Sequence, residues 1–217
     1  MSTDNPRSPE QPFPIPPDVP SPIDLRNPKD AAEWESTAME KRPWRPEFFD
    51  AFAEQIGLVA GHAEVLELGS GPGFLAAHIL GKLPQSRLHL LDFSDAMHAL
   101  ARARLGSRAD LVHFIVRSFR EPSWPAGLGT YDYVVTNQAV HELRHKRYAL
   151  EFHRAVRSLL RPNGAYLVCD HYAGDDGMKN QELYMTVEEQ RAALHDAGYV
   201  TVDQLLYKGG LVLHRAV

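Results

Sequence analysis

A chain of 217 residues, 44% hydrophobic and 24% charged, is long enough to close one domain around a sizeable core. Its formal net charge of −5 excludes the overall basic field on which nucleic-acid binding relies, and no apolar run of about 18 residues marks a membrane span. The single Cys169 excludes an internal disulfide and fits a reducing compartment, so the expected location is cytoplasmic, with neither nucleic acid nor membrane as partner.

Residues 1–28 carry Pro6, Pro9, Pro12, Pro14, Pro16, Pro17, Pro20, Pro22 and Pro28, a density that blocks helix and sheet pairing. They read as a disordered or extended tail, or else as a polyproline-type ligand for a partner. Residues 29–217 read as a single domain. A short helix is expected over 30–40, and after Pro43 and Pro46 a second one over 47–56, with Phe48, Phe49, Phe52 and Ile56 as its core face. An apolar run at 65–68 then breaks into Gly69, Gly71 and Gly73 and enters a helical segment, which reads as strand, tight turn, helix. The spacing is G-x-G-x-G with Glu67 just ahead, not the G-x-G-x-x-G of a dinucleotide fingerprint.

Downstream, strand and helix alternate through short connections, which predicts a parallel α/β sheet. The second strand, 87–91, ends in Asp92, about 20 residues beyond the glycines, where a carboxylate can accept from both ribose hydroxyls of a nucleoside. Ser94 is placed to cap the following helix. A third strand is expected over 111–116 and a buried fourth over 131–137, whose carboxyl end at Asn137, Gln138 and His141 should border a ligand. An amphipathic helix is expected over 147–160, a turn at Pro162, Asn163 and Gly164, and a fifth strand over 165–169 that leads into Asp170, His171 and Tyr172. Residues 173–183 read as a loop covering a pocket. Thr186 and Glu189 form a capping box opening a helix that Gly198 ends, and 200–207 with 210–215 read as a closing antiparallel pair.

The run Val65, Leu66, Glu67, Leu68, Gly69, Ser70, Gly71, Pro72, Gly73 resembles motif I of the class I S-adenosylmethionine-dependent methyltransferases. The resemblance covers roughly residues 45–217 and includes Phe93, Ser94 and Met97 after the acidic strand end, Tyr131 and Asp132 in the fourth strand, and the turn from Leu159 to Gly164. It implies a seven-stranded, mostly parallel Rossmann-like sheet with helices on both faces and the last strand antiparallel. It implies S-adenosyl-L-methionine as cofactor, held by Glu67, Gly69, Ser70, Gly71 and Gly73 in the turn and Asp92 on the ribose. Phe93, Met97, Ser118 and Phe119 would surround the adenine, and Asn137 and Gln138 would flank the methionine moiety. Ser118 departs from the family, which usually has an acidic residue there. An N-terminal helical lid over about 30–46, carrying Trp34, Met39, Trp44 and Arg45, is also implied.

In such a site His141 and His171, each just past a strand's carboxyl end, can remove a proton from an acceptor near neutral pH. Each is equally a candidate structural hydrogen-bonder; Tyr172 and Tyr184 are candidates to line the pocket, and Cys169 reads as core. His141, Glu142 and His145 also spell H-E-x-x-H, the zincin signature. With no H-x-x-G-x-x-H continuation and a position at a strand exit, no metal site is assigned. The implied function is methyl transfer to an oxygen, nitrogen or carbon of a small-molecule acceptor. The alternatives are a protein or RNA methyltransferase and a cofactor-binding module without catalysis. The oligomeric state stays open.

Overall fold

The structure is a computed structural model and describes residues 17–59 and 61–217. Two helices, α1 (Pro28–Lys41) and α2 (Arg45–Ile56), precede the first strand, β1 (Glu64–Leu68). The alternating part follows as α3 (Phe74–Lys82), β2 (Arg87–Asp92), α4 (Asp95–Leu105), β3 (Val112–Val116) and β4 (Tyr131–Asn137). The chain closes with α5 (Ala149–Arg157), β5 (Leu160–His171), α6 (Val187–Asp196), β6 (Val202–Lys208) and β7 (Leu211–Ala216). The strands form one sheet in the order β3-β2-β1-β4-β5-β7-β6, with β7 antiparallel to both neighbours.

Side chains on β1 alternate between two cores. Val65 joins Phe48, Phe52, Leu75 and Ile79 on one face, whereas Leu66 and Leu68 join Phe152, Val156 and Tyr166 on the other. A sheet covered on both faces needs strands apolar on both sides, which is why β1, β2 and β4 read as nearly continuous hydrophobic runs. The chain winds outward from β1 through β3 and returns across β1 to begin β4, and that reversal opens a crevice beyond the strands' carboxyl ends. Leu68 is paired with both Leu91 and Thr136, so three strand ends meet the crevice at one level.

Two helix starts carry the local signals expected of them, and α1 adds one that was not expected. Asn27 accepts from Lys29 N ahead of Pro28, Ser94 accepts from Met97 N, and Thr186 and Glu189 make the reciprocal capping box. Two elements differ. The helix expected over 147–160 is trimmed to α5, with a 3-10 turn before it, and β5 runs from Leu160 to His171 instead of over 165–169, so His171 is the strand's last residue and not beyond it. Leu160 pairs with Tyr131 and Ala165 with Tyr133, so Pro162, Asn163 and Gly164 are absorbed as an irregularity in the strand, Asn163 taking φ 67°. Part of the expected tail is ordered as well: residues 17–27 run across the crevice, while residues 1–16 lie outside the described residues. No helix among the described residues is long and apolar enough to cross a membrane.

Candidate functional site

The turn after β1 is left-handed at all three glycines, with φ of 69° at Gly69, 52° at Gly71 and 73° at Gly73. The three do different work. A Cβ on Gly69 would lie 2.4 Å from the Cβ of Ala139, so that glycine lets the turn pack against the exit of β4, whereas Gly71 faces open space. Gly71 N donates to one oxygen of Asp92 at 2.8 Å and Ser94 N to the other at 3.0 Å, which fixes the carboxylate beside the turn. Burial raises the Asp92 carboxyl to about 6 against the pull of those N–H groups. Glu67 is buried at the end of β1; burial and the Asp92 charge push its carboxyl well above the ordinary range, and its Oε2 has no hydrogen-bond partner.

These residues wall one end of a cavity of about 630 Å³, within the span usual for small-molecule sites. Gly71, Asp92, Phe93, Met97 and Phe119 line that end, Glu67, Asn137 and Gln138 the middle, and His141, His171, Arg42 and Tyr184 the far end. Ser70 and Gly69 contribute to the floor. Ser118 is set apart: it opens on an adjoining cavity of about 810 Å³ that shares Phe93 and Phe119. Gly73 lies behind the wall, where its missing side chain lets α3 approach Ala101 of α4.

Three segments roof the cavity without filling it. The first is α1 through Trp34, together with Arg42 just after its end; Glu35 of this helix is paired with Arg104 of α4. The second comprises residues 17–27, whose Val19, Pro20, Ile23 and Leu25 line the cavity. Arg144 donates to the carbonyls of Val19 and Pro20 at 2.9 and 2.7 Å, Ser94 Oγ donates to that of Leu25, and Asp18 pairs with Arg120 and Arg147, each at 2.6 Å. The third is the loop after β5, through Met178, Asn180, Leu183 and Tyr184. Trp44, grouped by sequence with Trp34, packs instead under Gly209 of the β6–β7 turn. Tyr172 also leaves the wall; its ring stacks on Tyr207 with 4.8 Å between centroids and its hydroxyl donates to Asp176. Cys169 is core, as expected.

At the far end the two histidines are held in opposite states. His141 Nδ1 and Asp170 Oδ1 are 2.7 Å apart, and the Nε2 lies 3.4 Å from Glu142. Burial opposes a charge on His141, but Asp170 and Glu142 together outweigh it and lift the ring to about 10. His171 is lowered to about 4 by burial, with the His141 and Arg42 charges adding to it against Asp170. A guanidinium cannot accept, so Arg42 Nη2 donates to His171 Nε2 at 3.3 Å, which marks that nitrogen as the unprotonated one. The two rings are thus shifted in opposite directions, His141 toward its cationic form and His171 toward its neutral one.

The H-E-x-x-H string is not helical. Val140–Leu143 is a single 3-10 turn and Arg144 takes φ 68°, so His141 and His145 do not share a face; His145 instead lies beside Glu182. Among the described residues no group of three metal-ligating side chains comes together.

Sequence reasoning missed Asp170 as the partner of His141, Arg42 as a cavity cation and residues 17–27 as a cover; Arg45 was expected only as part of the N-terminal lid. Arg45 is buried, with Nη1 donating to Ala38 O at 3.0 Å and Nη2 to Gln138 Oε1 at 2.9 Å. Burial, and Arg42 nearby, lower it to about 10.

Residues 66–166 match the family model of a methyltransferase domain. Among curated proteins, the chain is 29% identical over 119 residues to malonyl-[acyl-carrier protein] O-methyltransferase 2 of Ilyobacter polytropus, covering 53% of this chain and 43% of that one. The chain spans less than half the length of the curated relatives it matches. Among solved structures, an O-methyltransferase family protein from Burkholderia thailandensis superposes with a TM-score of 0.70 at 21% identity, covering 87% of this chain and 59% of that one. DhpI, solved as a complex with S-adenosylhomocysteine (SAH), superposes at 0.68 and 19% identity, covering 88% and 92%. Both likenesses lie in the fold.

Proposed function

Taking as premise that residues 66–166 are a methyltransferase domain on the class I, S-adenosylmethionine-dependent fold, we propose that this chain methylates a small-molecule acceptor. The observation that carries this reading is one continuous cavity running from the Gly71 and Asp92 end to the His141 and His171 end. When bound, S-adenosylmethionine supplies a methyl group already activated on a sulfonium.

The residues present fit that cofactor. Asp92 keeps lone pairs beyond the two its backbone partners use and takes the ribose hydroxyls. Phe93, Met97 and Phe119 form an apolar slot for the adenine, with Ser118 at its outer edge. Gly71 gives a bare backbone for close approach, and Gly69, Ser70 and Gly73 shape the turn. Glu67, buried with an orphaned oxygen, suits a ligand ammonium, and Arg45, buried without a carboxylate partner among the described residues, suits a ligand carboxylate. Asn137 Oδ1 and Gln138 Nε2, both buried and unpartnered, complete that middle zone.

With the donor activated, the protein's task is to hold the acceptor in line and exclude water. Tyr184, His141 and His171 form the wall on the acceptor side. His171 offers the one unprotonated ring nitrogen there, and His141 a fixed positive charge. The three roofing segments leave room for a small ligand but none for a folded protein or a base-paired strand, and the acidic chain offers nucleic acid no field. Because those segments do not fill the cavity, a module without catalysis is disfavoured too. A cytoplasmic setting belongs to the same reading.

The test is calorimetric titration with S-adenosylmethionine, SAH and NAD, on the protein and on Asp92→Ala. Saturable binding of both sulfur nucleosides, weakened about 100-fold or more in the variant and absent for NAD, is the expected result. A protein that binds neither nucleoside does not have this function.

A further inference from the structure

Among the described residues that line the cavity, one guanidinium has no carboxylate partner once the other cations are matched. His141 is matched with Asp170, and Arg144 with Glu142 at 3.3 Å. On the reading proposed above, on which this inference rests, Arg45 takes the cofactor's carboxylate and Glu67 its ammonium. Arg42 remains. It follows the last residue of α1, where its guanidinium could have turned back on the carbonyls of the helix end. Instead it lines the cavity, half-buried, and its one polar contact among the described residues is the neutral His171 Nε2 at 3.3 Å. Five N–H donors meet a single uncharged acceptor among the described residues, so most of this half-buried guanidinium's donors stay open to a ligand in the cavity.

We propose that Arg42 is the acceptor-recognition residue and that the acceptor is a small carboxylic acid, bound as its carboxylate and methylated on that carboxylate. One carboxylate oxygen is held by the Arg42 fork, and the other faces the methyl donor. The nucleophilic oxygen forms a bond to the methyl carbon as the carbon–sulfur bond breaks, and that electron pair stays on sulfur. A carboxylate and a sulfonium thus become a methyl ester and a thioether. No proton moves, so no base is required. This agrees with the wall chemistry: His141 is already protonated, and His171 is committed to orienting Arg42.

A second guanidinium on the same wall is what makes the assignment testable. Arg45 and Arg42 are separated by function on this account, and substituting each should damage a different ligand. With the protein saturated by SAH, benzoate, phenylacetate and acetate are titrated while the ring signals of His171 and His141 are followed by NMR; the matching primary amides serve as neutral shape controls. The expected result is saturable shifts with at least one carboxylate, none with its amide, a loss of 10- to 100-fold in apparent affinity in Arg42→Gln, and partial recovery in Arg42→Lys. SAH affinity should stay within about twofold in both variants.

Turnover with labelled S-adenosylmethionine should then give a base-labile methyl ester that releases methanol in alkali. Carboxylates that leave the histidine signals unmoved, amides that act equally well, or undiminished carboxylate binding in Arg42→Gln would each overturn the proposal while SAH binding still stands. Failure to bind SAH at all would instead remove the functional reading beneath it.

Discussion

His141 and Asp170 are joined twice: the ring Nδ1 lies 2.7 Å from Oδ1, and the His141 backbone N–H donates to Oδ2 at 2.8 Å. Asp170 is the penultimate residue of β5 and His141 lies in the 3-10 turn after β4, so one carboxylate ties together two strand exits and shifts the ring toward its charged form. Its Oδ1 accepts from His171 N as well, at 2.7 Å. In Asp170→Asn the charge that holds His141 protonated is gone while the size is kept, so the ring should titrate several units below the wild-type value of about 10. NMR titration of the His141 ring decides this; a wild-type ring that titrates near 6.5 would remove the account of the pair. Methyl transfer should fall at least tenfold in the variant, because the acceptor wall loses both a charge and its alignment.

Stability against pH follows from the same groups, with opposite signs at the two ends. His141 has a folded value above the unfolded one, so its contribution is complete below about 6.5 and is lost as pH rises toward 10. His98, His153, His171 and His214 are buried neutral, with values of about 4, 3, 4 and 4. Unfolding lets all four take up protons as pH falls below 6.5. Asp92 and Glu67 act the other way, since their carboxyls are raised in the fold, but they are outnumbered. The melting temperature should therefore drop from pH 6.5 toward 4 and, more gently, from pH 6.5 toward 10. In His141→Gln the alkaline decline should shrink, and an unchanged alkaline limb would refute the assignment. Scanning calorimetry across that range is the measurement.

The glycine turn separates packing from ligand contact. Gly69→Ala puts a methyl 2.4 Å from Ala139 at φ 69° and should cost about 2–4 kcal/mol, since backbone strain and overpacking add. Gly71→Ala meets nothing within 4 Å and should cost only the left-handed strain, about 1–2 kcal/mol. Its methyl, however, enters the cavity at the end proposed for the cofactor, so on that reading SAH affinity should drop by more than tenfold in a protein that still folds. Urea denaturation paired with calorimetry distinguishes the two substitutions; equal effects of both on stability would contradict this division.

Much of this molecule is legible in sequence because its rules are local. The turn glycines, the Asp92 strand end, the Ser94 cap and the Thr186 capping box each depend on neighbours within a few residues, and motif I fixes the fold around them. What escaped depends on distance along the chain. Asp170 meets His141 across 29 residues and Arg42 meets His171 across 129, pairings that no periodicity encodes. The opposite charge states of His141 and His171 escaped for the same reason, being set by burial and by those partners. Proline density correctly excluded helix and sheet for residues 17–27, but carbonyls freed from regular structure are also available to Arg144 and Ser94, and these hold the segment in place.

That segment makes the final prediction. Residues 17–27 cross both cavities and are fastened at one end by Asp18, which pairs with Arg120 and Arg147 and accepts from Tyr148. Any ligand beneath Val19, Pro20 and Ile23 must wait for the cover to lift before it leaves. Pairs at the surface and partly exposed, as these are, are worth about 0.2–1 kcal/mol each and are screened by salt. Asp18→Ala should therefore speed SAH dissociation about two- to tenfold with little change in melting temperature, and raising ionic strength should speed release from the wild type while barely affecting the variant. Stopped-flow fluorescence, with Trp34 on the cavity wall as reporter, measures the rates. If dissociation from the two proteins is equally fast at low salt, the segment lies against the cleft without governing passage through it.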